Sequence, residues 1–158
     1  MTPLSEQFRE SADYIGTLWL SHNGTHLIWE RFEGYRRKDI IAFGDVVYFL
    51  FLPELDNELV KIGMSASKNG FEGRVTTYKR STCATSRKVL DGLKAKNVDQ
   101  IDVYAIPLGR EEVADVCPIT GEVLRLQLSK AREYEKRYTK LFLEENSKNQ
   151  LPFCKQIG

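Results

Sequence analysis

Asp45-Val46-Val47-Tyr48-Phe49-Leu50-Phe51-Leu52 is an unbroken β-branched and aromatic run closed by Pro53, and it reads as a strand buried on both faces. The turn residues Asp56-Asn57 follow, and Glu58-Leu59-Val60-Lys61-Ile62-Gly63-Met64 then alternates as a second strand, so the two make a hairpin. Gly70 and Gly73 bracket a loop leading into a short helix, Arg74 to Arg80. Ser86 to Lys96 sets Val89, Leu90 and Leu93 at helical spacing, with Ser86 placed to cap the helix. Ile101 to Pro107 alternates as a third strand. Residues 108–122 are acidic and broken by Gly109, Pro118 and Gly121, which predicts an insertion with little internal order. From Val123 to Glu145 there is no glycine or proline, and Leu124, Leu128, Ala131, Tyr134, Tyr138, Leu141 and Phe142 recur at helical steps, which predicts one long helix. The tail, with Pro152, reads as coil.

Upstream, Leu18-Trp19-Leu20 and Leu27-Ile28-Trp29 flank Asn23-Gly24 as a short hairpin would, within a polar segment. The expected organisation is therefore an N-terminal arm, residues 1–40, on a domain of residues 41–158. The expected fold class is α+β, a small, mainly antiparallel three-stranded sheet flanked by helices.

A length of 158 residues fits one domain with one active site. The longest apolar run, Val46 to Leu52, is too short to span a bilayer, and no basic segment followed by an apolar stretch opens the chain, so a cytoplasmic protein without a membrane partner is expected. Three widely spaced cysteines, Cys83, Cys117 and Cys154, argue against a disulfide framework. His22 and His26 stand four apart, but Asn23-Gly24 between them favours a turn over a metal pair. The net charge of +1 hides an uneven distribution: Arg74 to Lys96 holds seven basic residues against Asp91 alone. Arg125 to Lys140 is a second basic stretch. Such density suits phosphate neutralisation, although a solvated helix face has the same composition.

The polar groups fall in a set order: Tyr48 in the first strand, Lys61-Ile62-Gly63 in the second, Arg74 and Tyr78 one helical turn apart, and Glu135 in the last helix. This order resembles the GIY-YIG nucleases. In that family one strand bears Gly-Ile-Tyr, the next bears Tyr-Ile-Gly, an arginine opens a helix, and a later helix carries a glutamate. Val46-Val47-Tyr48 stands where the first signature would lie and Lys61-Ile62-Gly63 where the second would, with Lys61 in place of the second tyrosine and Met64 where many members have lysine. Tyr14-Ile15-Gly16 spells the second signature in full but precedes any candidate first strand. Glu135 to Phe142 is similar to the family's glutamate helix, and Asn149 follows it where an asparagine is common.

The resemblance implies a metal-dependent endonuclease of the restriction or phage type acting on double-stranded DNA. Glu135 would bind Mg²⁺ or Mn²⁺, Arg74 would hold a non-bridging phosphate oxygen, and Tyr48 would be the general base, helped by positive charge from Lys61 and Arg74. Tyr78 completes the catalytic set. Lys79, Arg80, Arg87, Lys88 and Asn149 are the candidate DNA contacts. Each residue also has a plainer reading: Tyr48 as a core aromatic, Arg74 and Glu135 as surface charges, Tyr78 as half-buried, with Glu133 a rival for the metal. Trp19, Trp29 and Tyr35 would either touch DNA or pack on the sheet. Nearly all of the chain is catalytic domain in this reading, so the target would be found with the arm, the insertion or a second copy in a homo-oligomer. The alternative is a non-catalytic nucleic-acid-binding module that keeps the fold while Lys61 and Met64 mark lost chemistry.

Overall fold

The computed structural model describes residues 2–80, 82–146 and 151–154. The chain runs α1 (Leu4–Ser11), β1 (Asp13–Leu20), β2 (Leu27–Arg31), α2 (Arg37–Ala42), β3 (Val46–Leu52), a 3-10 turn (Pro53–Leu55) and β4 (Glu58–Ser65). It continues through α3 (Gly70–Lys79), α4 (Ala84–Lys96), β5 (Gln100–Pro107), β6 (Arg110–Val116), β7 (Val123–Ser129) and α5 (Ala131–Glu145). One antiparallel sheet has the order β2-β1-β5-β3-β4, and β6 and β7 form a separate two-stranded ribbon.

β3 lies inside the sheet between β5 and β4, and every one of its residues is buried. Both faces are covered, which is why its sequence is continuously apolar and does not alternate. Tyr48, Leu50 and Leu52 meet Phe71, Val75 and Tyr78 of α3 and Val89, Leu90 and Leu93 of α4 in one core. Val47, Phe49 and Phe51 meet Phe8 of α1 and Tyr138 and Phe142 of α5 in the other. The β3–β4 hairpin turns through Asp56 and Asn57, both left-handed, at φ 53° and 57°. Residues 151–154 lie along β4: the Phe153 amide donates to the Val60 carbonyl at 2.9 Å. Phe153 itself is fully buried against Gly92, where a β-carbon would lie 2.3 Å from its ring.

Four expectations need correction. The sheet has five strands, not three, because β1 pairs with β5 and β2 with β1. Gly16 makes this packing possible: a β-carbon there would lie 2.5 Å from the Trp29 ring. Residues 108–122 are not a disordered insertion, and the long helix does not begin at Val123. Arg110–Val116 and Val123–Ser129 pair residue for residue, and the helix starts at Ala131. Leu124, Leu126 and Leu128 alternate with a period of two, which signals a strand, whereas Leu124 and Leu128 alone mimic a helical step. Ser86 does not cap its helix, which starts two residues earlier; its hydroxyl donates to the carbonyls of Cys83 and Arg80.

The ribbon is tied to the sheet at its base. Arg110 forks onto the buried carboxylate of Asp45 at 3.0 and 3.1 Å and also donates to the Ala66 carbonyl at 2.8 Å. The bidentate geometry fixes where the ribbon leaves the domain.

Candidate active site

Tyr48 points from β3 towards α3, and its hydroxyl lies 2.7 Å from that of Tyr78 in a fully buried pair. The approach depends on Gly63, which faces Tyr48 across the β3–β4 ladder. A β-carbon on Gly63 would lie 2.3 Å from the phenol ring and 2.5 Å from its hydroxyl. Phe71 packs edge-on to Tyr48 at 5.0 Å and holds the ring from α3.

Lys61 reaches the same place from β4, where it faces Leu50 two residues along from the Gly63–Tyr48 pair. Leu50 pairs with Lys61 but Phe51 pairs with Leu59, so Val60 is an extra residue in β4. The bulge lies beyond Lys61, whose regular two-residue step from Gly63 already puts it on the face of Tyr48. Its ammonium sits 5.5 Å from the centre of the Tyr78 ring, and the residue is only 7% exposed. A buried ammonium over an aromatic face gains cation–π attraction in return for lost water.

α3 delivers Arg74 one turn before Tyr78. Burial alone would lower the Arg74 guanidinium, but Tyr48, Tyr78 and Glu135 hold it above its ordinary value. Its Nε is buried without a hydrogen-bond partner among the described residues. An unpaired buried donor is costly, and a ligand oxygen would relieve it. Beside Arg74, a cavity of about 290 Å³ is lined by Met64, Ser65, Ala66, Ser67, Gly73 and Thr77. Tyr78 is pushed well above the phenol range by burial first and by Tyr48 next, so it stays protonated.

Glu135 comes to this group from α5. Burial raises its carboxyl, while Lys61, Arg74, Arg132 and Lys136 pull it back. It is half-buried and makes no hydrogen bond or ion pair among the described residues. Glu133, its sequence rival, is 79% exposed at the side chain and pairs with Lys136 at 3.8 Å. Among the described residues no three His, Cys, Asp or Glu side chains cluster. One carboxylate among cations fits a Mg²⁺-type ion that keeps most of its waters and has substrate phosphate as its other anion.

Tyr48, Lys61, Arg74, Tyr78 and Glu135 are thus brought together by β3, β4, α3 and α5. Lys79, Arg80, Arg87 and Lys88 are exposed on α3, α4 and the turn between them. Asn149 lies outside the described residues. Trp29 and Tyr35 pack against the core that holds Tyr48.

Sequence reasoning missed Glu72. This glutamate is buried in α3, two residues before Arg74, and accepts from the Trp29 indole at 2.8 Å and from Arg31 Nε at 2.9 Å. Two side chains of β2 therefore grip the helix that carries Arg74 and Tyr78. Nothing in the spacing marks it, because its partners lie about forty residues upstream.

The fold so defined is that of the GIY-YIG endonucleases, as the resemblance in the sequence implied. Hpy188I, a restriction endonuclease determined in complex with product DNA, matches at a TM-score of 0.54 and 19% identity, over 96% of this chain and 84% of that one. EndoII of bacteriophage T4, in a mutant form, matches at a TM-score of 0.54 and 17% identity, over 89% of this chain and 96% of that one. No protein-family model and no curated protein sequence matches the chain. At these identities the likeness is one of fold. No helix among the described residues is long and apolar enough to cross a membrane.

Proposed function

We propose that the chain is a divalent-metal-dependent endonuclease that hydrolyses phosphodiester bonds of double-stranded DNA, in the manner of a small restriction or phage enzyme. The observation that carries this reading is the meeting of Tyr48, Tyr78, Lys61, Arg74 and Glu135 at one place, with a buried arginine donor unpaired among them. Phosphodiester hydrolysis needs an activated water, neutralised charge on the phosphoryl group and a stabilised leaving oxygen. Arg74 has a free donor for a non-bridging oxygen. Tyr48 would accept the proton of the attacking water; Tyr78, held protonated, can donate to the Tyr48 oxygen and so steady the charge of the base form, which is lost when the proton arrives. Lys61, in place of the family's second tyrosine, adds positive charge on the same side. Glu135 would hold the divalent ion, which when bound supplies charge neutralisation at the phosphate and the leaving oxygen. Lys79, Arg80, Arg87 and Lys88 would carry the flanking DNA backbone.

Supercoiled plasmid incubated with the purified protein and Mg²⁺ or Mn²⁺ tests the reading. Conversion to nicked or linear DNA is expected, lost with chelator and in Glu135→Gln. Retained duplex binding with no cleavage under any divalent ion would favour the non-catalytic module.

A further inference from the structure

The second basic stretch, Arg125 to Lys140, is divided by the fold. Arg125 stands on the β6–β7 ribbon, paired with Glu112 at 2.9 Å, and there Glu111, Glu112, Asp115 and Glu122 outnumber Arg110 and Arg125. A phosphate backbone is repelled from such a strip. Arg132 and Lys136 belong to α5 instead, and both are exposed. Four residues apart, they stand one above the other on the helix, separated by about 6 Å along its axis. Burial raises the Glu135 carboxyl between them, and both draw it back, as Lys61 and Arg74 do from β4 and α3. Arg137, two residues past Glu135, falls on the opposite side of the helix. Arg132 has no anionic partner among the described residues. The Lys136–Glu133 pair, at 3.8 Å with both side chains largely in solvent, is worth little and yields readily to a phosphate.

We infer that Arg132 and Lys136 hold the DNA backbone on the leaving-group side of the cut, opposite the cations of α3 and α4. The inference rests on the nuclease reading of this site. α3 carries Tyr78 together with Lys79, and Arg80 follows it, so the first cationic bank lies on the side of the tyrosine pair. Arg74 lies within reach of Tyr48 and Tyr78 on one hand and of Glu135 on the other. A phosphate held by Arg74 thus has the general base on one side and Glu135 on the other. Water gives its proton to Tyr48 and bonds to phosphorus from that side, while the bond to the leaving oxygen breaks in line with it, on the side of Glu135. The backbone that continues from the leaving oxygen therefore passes onto α5, where Arg132 and Lys136 meet its next phosphates. In the other direction the strand runs towards Lys79, Arg80, Arg87 and Lys88.

Fluorescence anisotropy with a duplex in the presence of chelator measures these contacts apart from cleavage. Arg132→Ala and Lys136→Ala should each weaken binding by about threefold to tenfold and lower the log–log salt slope by about one, whereas Arg137→Ala should change neither. The wild-type cut is then mapped, and the product end that bears the hydroxyl marks the leaving-group side. Duplexes in which one phosphate is replaced by a neutral methylphosphonate locate the contact. On the hydroxyl side, one such replacement next to the cut should weaken the wild type but cost Lys136→Ala nothing further; on the phosphate side it should weaken both alike. Unchanged melting temperatures verify that the variants are folded. Wild-type affinity and salt slope in the double variant Arg132→Ala and Lys136→Ala overturn the proposal even if the protein cuts DNA, and so does coupling of Lys136 to the phosphate side of the cut. A protein that shows the expected binding losses but never cuts under any divalent ion refutes the nuclease reading, and the assignment to a leaving-group side falls with it.

Discussion

Tyr48 and Tyr78 share one hydrogen bond between buried side chains, so removing either hydroxyl changes chemistry more than packing. Tyr48→Phe is expected to keep the melting temperature and duplex affinity while lowering single-turnover cleavage by roughly 10²-fold, the scale of a lost general base. Cleavage at the wild-type rate would return Tyr48 to the core. Glu135→Gln and Arg74→Ala should separate in binding although both abolish cleavage. The first removes a negative charge that repels phosphate in metal-free conditions, so affinity should hold or rise; the second removes a cation, so affinity should fall. Titration calorimetry with a short duplex distinguishes them. Burial raises the Glu135 carboxyl above the ordinary glutamate value, so its proton is lost at higher pH than in a free side chain. Cleavage at fixed metal should therefore fall on the acid side above the usual glutamate range, and more metal should shift that limb to lower pH. A flat rate down to the ordinary glutamate value would remove Glu135 from the metal role.

Among elements, β3 and β4 were legible because a strand buried on both faces needs a continuous apolar run, and because the signature spacing set Lys61, Arg74 and Tyr78 in order. The β4 bulge was not legible: Val60 looks like any strand valine, and only the pairing with β3 shows that it is the extra residue. β7 was misread because leucines two apart are also leucines four apart, and the absence of glycine or proline before Ala131 removed the boundary. Glu72 was invisible because its chemistry is made by tertiary contact with β2. That contact makes β2 a support for the site. Glu72→Ala leaves the Arg31 guanidinium, one-third exposed, without its buried partner, and should cost about 3 kcal/mol in urea denaturation. It should also lower kcat more than it raises KM, because Arg74 and Tyr78 lose their alignment while the exposed cations of α4 stay in place. Equal stability of the variant and wild type would show that α3 is held by its apolar contacts alone.

For the molecule as a whole, the small net charge conceals a cationic surface on α3 and α4 and an anionic ribbon. Composition hid that separation, whereas the run from Arg74 to Lys96 announced it. Duplex affinity should fall steeply between low and physiological salt, with a log–log slope that shrinks by about one for each phosphate-contacting lysine or arginine replaced by alanine. A salt-independent affinity would rule out Lys79, Arg80, Arg87 and Lys88 as backbone contacts. The C-terminal segment has a different consequence, one for anyone who engineers the protein. Residues 151–154 cover the outer margin of β4, with Leu151 on one face and Phe153 on the other. Truncation ahead of Leu151 would empty the slot at Gly92 and strip that margin, leaving a bare strand next to Lys61 that can template aggregation. A shortened C-terminus therefore has to keep Leu151 and Phe153.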